Sequence, residues 1–313
     1  MTFVLKRLGQ AVIVLFGVTV VVFALLQLVP GDPVRLAMGT RFDPNVYAAL
    51  REAAGLDRPV LEQYLGYVGS AVTGDLGVSF RSGEPVTQLL LDRLPATVSL
   101  ALVGIVIALG MALPLGTMAA LRRGKVSDYV VRVVSQIGVS IPDFWMAILL
   151  ILLFSVTLGW LPPAGYVPLT EDPLGWLLRI LMPAFTVGIV SGSILTRYVR
   201  SSVLETLGSD HARTARAKGL PGSLVMRRHV LRNAMLPLVT IGGVQLATLL
   251  GGLVVVEVVF AWPGLGRLVF DAVQARDYPV IQGAVLLIAV MFLLINLAVD
   301  LLYAWIDPRI SLS

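Results

Sequence analysis

The sequence contains no cysteine, only two histidines, and few charges, at 14% of residues. Without cysteine there is no disulfide, no thiolate metal site and no thiol nucleophile. His211 and His229 both fall in one short basic segment, which leaves little from which to build a histidine metal cage, and no metal site is expected. No histidine lies in a long apolar run, so a Ser–His pair inside such a run is not available. There is no G-x-x-x-x-G-K-[ST] stretch, Gly264-Leu265-Gly266 does not continue as G-x-G-x-x-G, and no G-x-S-x-G occurs. The chain therefore carries no phosphate-cradling loop for ATP and no nucleophile elbow.

What is plentiful is apolar surface. Hydrophobic residues reach 57% with the 30 glycines left out, where soluble domains reach about 45–50% with glycine included. A spanning helix needs about 20 mostly apolar residues. Six runs qualify: residues 8–29, 97–121, 131–158, 176–200, 236–260 and 280–306. Lipid demands that each pair its own backbone groups, so all are expected to be helices. The third is too long for one straight span and is interrupted by Pro142. The first is too long for a signal-peptide core and lacks a small-x-small cleavage site, so it reads as an uncleaved anchor.

Basic residues set the orientation. Lys6 and Arg7 precede the first run, and Arg122, Arg123 and Lys125 lie between the second and third. Arg213, Arg216, Lys218, Arg227, Arg228 and Arg232 lie between the fourth and fifth. The opposite loops lack such an excess: residues 31–95 hold six Arg against eight Asp or Glu, and residues 159–175 hold no base. Both termini and the 201–235 loop are therefore expected in the cytoplasm, with an insert at 31–95 outside it. That insert is too long for an ordinary loop, and helical patterns around 46–54 and 61–73 make it a small helical unit.

The basic 201–235 loop has a readable physical form. Ser202–Lys218 can be one short helix, ended by Gly219, which accepts the left-handed conformation, and Pro221 cannot continue it. One face carries Leu204, Leu207, Ala212 and Ala215; another carries Arg213, Arg216 and Lys218. The alanines permit close approach, and the absence of aromatics favours docking in a groove of another protein over lying on headgroups.

At this segment the chain resembles a known family. RTARAKG (Arg213–Gly219), followed by LRNAMLP (Leu231–Pro237), resembles the EAA loop of ABC-importer permeases, in the form of the dipeptide/oligopeptide/nickel branch. Arg213 and Thr214 stand where the general form has Glu and Ala; Ala215 and Gly219 match it. Further stretches resemble that branch's B-type permease in order along the chain: GDPVRLAMG (Gly31–Gly39), GLDRPVLEQYL (Gly55–Leu65), GDLGVSF (Gly74–Phe80), RLPATVSLAL (Arg93–Leu102), SIPDFW (Ser140–Trp145), VVVEVVFAWPGLGRL (Val254–Leu268), RDYPVIQG (Arg276–Gly283) and DLLYAWIDPRI (Asp300–Ile310).

The resemblance implies an all-α integral membrane protein with six transmembrane helices. It places an extracytoplasmic helical insert after the first and a cytoplasmic coupling helix between the fourth and fifth. It implies the permease half of an ATP-driven importer for short peptides or a similar small solute, in a bacterial or archaeal cytoplasmic membrane. The implied partners are a second permease subunit, two ATPase subunits or domains that bind ATP and Mg, an extracytoplasmic substrate-binding protein and membrane lipid. No nucleic acid and no cofactor in this chain are implied. An ion-coupled secondary transporter is the alternative, and it would need midplane titratable groups and an inverted repeat. No clear repeat is visible.

The resemblance assigns ATPase coupling to Leu207, Asp210, Ala212, Arg213, Ala215, Lys218 and Gly219. It assigns a periplasmic gate to Glu257, Trp262, Pro263, Gly264 and Gly266. Glu257 is near the outer end of the fifth run and could instead reach water at the interface. Asp143 could cap the helix restarting after Pro142 or line a pore. Asp300, in the inner part of the sixth run, is expected to be paired. Gly242, Gly243, Gly251 and Gly252 are expected to let helices pack closely.

Overall fold

A computed structural model describes residues 2–39 and 42–306. The end of the Asp300–Ile310 motif, residues 307–310, lies outside the described residues, as do both chain ends on which the termini expectation bears. The described residues are helical, joined by turns, with one isolated bridge between Val78 and Pro85. Among the described residues, four helices are long and apolar enough to span a membrane: α1 (Thr2–Gln27), α5 (Val86–Leu121), α8 (Pro173–Gly208) and α14 (Tyr278–Ile306). Two bent pairs add apolar length. In the first, α6 (Val126–Ser140) turns by 102° at Ile141-Pro142 into α7 (Asp143–Leu150) and its π-helical continuation Ile151–Thr157. In the second, α10 (Gly222–Leu224) and the π-helical stretch Val225–Leu231 lead into α11 (Arg232–Gly252), bent by 45°. Proline removes a backbone donor and clashes with the preceding turn, and Pro142 and Pro237 mark these bends.

The chain divides into two compact units. The first comprises residues 1–98 and 263–293. It holds α1, α2 (Pro33–Met38), α3 (Pro44–Ala53), α4 (Val60–Val72), the start of α5, α13 (Leu265–Ala275) and most of α14. Its core joins Val86 and Leu90 of α5 to Leu265 and Ala272 of α13 and to Val280 and Ala284 of α14. A second cluster gathers Val34, Ala37 and Phe80, with Tyr47, Leu50 and Leu56 packed on it. Asp277 is buried, and its carboxylate accepts from the Ser79 hydroxyl and, at 3.0 Å, from the Phe80 N–H. On α1, Thr19 shares a 3.0 Å hydrogen bond with Tyr64 of α4, and Phe23 meets the Tyr64 ring edge-on.

The second unit spans, among the described residues, 99–262 and 294–306. Its centre is α8, whose buried side is made of small residues, among them Gly188, Ser191, Gly192, Ser193 and Thr196. Lipid supplies no hydrophobic drive between helices, so close packing of small residues carries the association. A Cβ at Gly192 would stand 3.2 Å from the backbone of Ala108 on α5, and one at Gly138 of α6 would collide with the Ser193 side chain. The buried hydroxyls of Thr186 and Thr196 donate to Met182 O at 2.9 Å and Gly192 O at 2.6 Å, so neither is left unmet. Of the glycines expected to mediate packing in the fifth run, Gly243 faces Val299, whereas nothing lies within 4 Å of a Cβ at Gly242 or Gly252.

Candidate functional site

The loop after α8 builds its own small platform. α8 runs on to Gly208, and the chain breaks at Ser209, φ −69° and ψ 156°, before α9 (Asp210–Ala217). The expected single helix Ser202–Lys218 is thus two. Ser209 is extended, and its hydroxyl turns back to donate to Thr206 O at 2.6 Å. α9 ends as its sequence suggests. Gly219 has φ +74°, its N–H donates to Arg216 O at 2.9 Å, and the Leu220 N–H donates to Ala215 O at 3.4 Å. This pair of reverse bonds is the Schellman stop, which needs the left-handed residue that glycine supplies.

The orientation of α9 corrects the expectation for its alanines. Ala212 and Ala215 are 0% and 5% exposed. They cannot be the face that enters a partner's groove. α9 packs on α8 and on the π-helical stretch Val225–Leu231, where Val225 and Val230 are also buried. Two polar ties brace it: Asn233 on α11 meets His211 Nε2 at 3.0 Å, and Arg216 Nη2 donates to Leu207 O at 3.4 Å. The face left free carries Asp210, Arg213, Arg216 and Lys218, all exposed, while Leu207 is half-buried. Asp210 and Arg213 approach to 3.6 Å while both stay largely in solvent, an arrangement that contributes little stability. The loop presents a compact, basic, rigidly mounted surface.

The segment Val254–Gly266 divides between the two units. α12 (Val254–Val259) carries Glu257, which is fully buried and so does not reach water at an interface. The helix stops by the same reverse-bond device as α9. Ala261 N–H donates to Val258 O at 3.2 Å and Trp262 N–H to Glu257 O at 2.8 Å, with Ala261 at φ +51°. Here alanine occupies the left-handed position, a strain that persists only when surroundings hold it. Trp262 is fully buried, with Tyr166 edge-on at 4.8 Å, and Gly165 N–H donates to Phe260 O at 3.0 Å. In the first unit, Gly264 precedes α13, Gly266 is buried, and Leu265 N–H donates to Thr97 Oγ1 at 2.7 Å.

Asp143 is the first residue of α7, not its cap. Pro142 occupies the cap position and no side chain caps the helix. The restart therefore relies on the pre-set proline φ, and the carboxylate is left half-buried at the bend. Where helices do begin with a side-chain cap, the device is an Asp-Pro pair. Asp32 accepts from Arg35 N–H, Asp43 from Asn45 and Val46 N–H, and Asp172 from Gly175 N–H. Sequence reading missed three contributors: the His211–Asn233 tie, the buried Val225 and Val230, and a buried pair between Asp128 and Arg200. An acid in the first turn of an apolar helix was the available signal for the last.

Comparison with known proteins finds relatives over the length of the chain. A family model described as "Binding-protein-dependent transport system inner membrane component" matches residues 112–312, and its N-terminal counterpart matches residues 1–101. The chain is 41% identical to the di/tripeptide transport system permease protein DppB of Pseudomonas aeruginosa (strain UCBPP-PA14), over 99% of this chain and 98% of that protein. It is also 41% identical to the dipeptide transport system permease protein DppB of Escherichia coli (strain K12), over 98% of each. Among solved structures, an inward-facing form of the MetNI methionine ABC transporter matches with TM-score 0.58 and 19% identity. That match covers 70% of this chain and 97% of the other. An amino acid ABC transporter matches with TM-score 0.51 and 18% identity, over 72% and 95%. These two likenesses concern the fold alone.

Proposed function

The chain belongs to the family of binding-protein-dependent transport system inner membrane components, and from that premise we propose that it passes short peptides across the membrane. It is the membrane-spanning permease half of an ATP-driven importer. The alternative of an ion-coupled secondary transporter finds no support in the family. The observation that carries the peptide reading is the near full-length 41% identity to di/tripeptide and dipeptide permeases.

In this reading each bent pair counts as one crossing, which gives six spans with both termini in the cytoplasm and the 31–95 insert outside. A sister permease forms the other half of the pore, and two ATPase subunits bind ATP and Mg. An extracytoplasmic binding protein delivers the peptide, and bilayer lipid surrounds the spans. The exposed face of α9, with Arg213, Arg216 and Lys218, meets an ATPase, and Ala212 and Ala215 mount the helix on its own chain. ATPase closure pushes α9, and α8 and α11 move with it because packing and the His211–Asn233 tie join them. At the other end, the Glu257–Trp262 stop and the Pro263–Gly266 turn form the outer gate, and Asp143 is the pore candidate. The two gate states must differ in their affinity for ATP-bound partners, since only a differential interaction shifts an equilibrium.

Co-expression with the partner subunits and uptake of labelled di- and tripeptides by proteoliposomes carrying loaded binding protein tests this reading. ATP-dependent peptide uptake is expected. Transport driven by an ion gradient without ATP, or refusal of every peptide while another solute is carried, overturns it.

A further inference from the structure

Asp128, in the first turn of α6, is 2% exposed. Arg200 on α8 grips it with two parallel bonds, Nε to Oδ1 at 2.7 Å and Nη2 to Oδ2 at 2.9 Å. Gly124 N–H adds a third donor to Oδ2 at 3.0 Å, and Arg132 Nε stands 3.8 Å from Oδ1. A buried carboxylate this well met does not drift. A forked guanidinium pair also fixes angle as well as distance, which a lysine ammonium does not.

The location of the pair matters more than its strength. From Arg200, α8 continues unbroken to Gly208, and α9 is mounted on it through the Arg216–Leu207 bond and the buried alanines. From Asp128, α6 continues to the 102° bend at Ile141-Pro142. The pair thus joins the helix that carries α9 to the helix that leads into the bend. The close contact of Gly138 with Ser193 holds the same two helices together farther along.

We propose that Asp128 and Arg200 are a positioning latch of the transport cycle: they make α6 follow α8 when α9 is displaced, so that motion of the loop reaches the bend. The proposal rests on the reading of α9 as the ATPase contact. It needs no further ligand.

Two variants and one distance test it, in the assembled importer in proteoliposomes with loaded binding protein. Arg200→Lys keeps the charge and loses the fork; Asp128→Asn keeps the shape and loses the charge. Both are expected to retain the ATPases and hydrolyse ATP, while peptide taken up per ATP falls about five- to a hundredfold, the span of a lost coupling between sites. Exchanging the two residues, Asp128→Arg with Arg200→Asp, is expected to restore part of it. On the cysteine-free chain, spin labels at Val133 of α6 and Glu205 of α8, both exposed, are expected to keep a constant separation through the nucleotide cycle when the pair is intact and to spread in Arg200→Lys. Unchanged uptake per ATP in both variants with only a lower unfolding temperature refutes the latch, as does a native separation that changes with nucleotide. The α9 reading fails separately if Arg213→Ala with Arg216→Ala leaves ATPase retention and uptake intact.

Discussion

Substituting Gly219 isolates the role of the α9 stop, because the structure removes the usual confusion of strain with crowding. Nothing lies within 4 Å of a Cβ built there, and φ is +74°. The penalty is therefore all backbone. An L-residue in the left-handed region costs roughly 1–2 kcal/mol, and a β-branched one fits there still less well. If the chain escapes the strain by unwinding, it forfeits the two reverse bonds from Gly219 and Leu220, each worth about 0.5–1.5 kcal/mol. Either route costs about 1–3 kcal/mol, so the properly stopped loop loses a factor on the order of 10 to 100 in population. Ala261 holds a comparable dihedral beside a fully buried Trp262, whereas Gly219 is exposed and has no such support. Gly219→Val is expected to reduce both ATPase co-purification and peptide uptake at normal expression, Gly219→Asn to be milder, and Gly222→Ala, in the same loop without a positive φ, to be silent. Native ATPase retention and uptake in Gly219→Val would refute the reasoning.

Other outcomes follow from the same geometry. Ala215→Trp is expected to lower expression and the unfolding temperature, because that side chain packs on its own chain and overfilling costs about 1–3 kcal/mol; a well-folded variant that merely sheds the ATPases would contradict the inward orientation. Ala261→Gly is expected to hold or raise thermal stability, read by the unfolding temperature, since it removes a left-handed strain at a helix stop. In single-cysteine labelling of intact cells, Glu62→Cys is expected to react from outside and Asp210→Cys to be protected; the reverse pattern inverts the orientation. Burial raises the Asp32 carboxyl, but the Arg35 N–H, the Tyr47 hydroxyl and the Arg51 charge outweigh it and hold the group below its usual range. Its folded pKa is thus the lower one. The stability it contributes to α2 and α3 is complete above the unfolded value of about 3.9 and is lost as pH falls through the folded value. Hydrogen exchange in α2 and α3 should rise over that acid window, and Asp32→Asn should flatten the dependence.

The long helices were legible because lipid leaves the backbone one solution, and apolar length alone finds it. Pro142 was legible as a break, but not the angle, which depends on what α6 and α7 pack against. The helices α2 and α13 went unread. α2 is six residues long, too short for periodicity, though Asp32-Pro33 announced its start. The stop at Gly219 was readable because glycine and proline act through their own backbones. The direction in which Ala212 and Ala215 point was not. α9 is eight residues long, and two alanines suit a partner's groove and a neighbouring helix equally well. Only the packing of α9 on α8 and on the returning stretch Val225–Leu231 decides between the two. For the Asp128–Arg200 pair the acid in the first turn of α6 was a signal, but its partner, well inside α8 and far along the chain, was not readable.

The sharp bend between α6 and α7 constrains how the chain enters the bilayer during synthesis. α6 is 15 residues long, about 22 Å at 1.5 Å per residue, and α7 with its π-helical continuation is comparable. A hydrocarbon core is about 30 Å thick, so neither arm alone is long enough to be released sideways into lipid as an independent crossing. Counted as one crossing, as proposed above, the two arms enter the bilayer together as one apolar segment, and the surface of α8 that Gly138 packs against is synthesised after both.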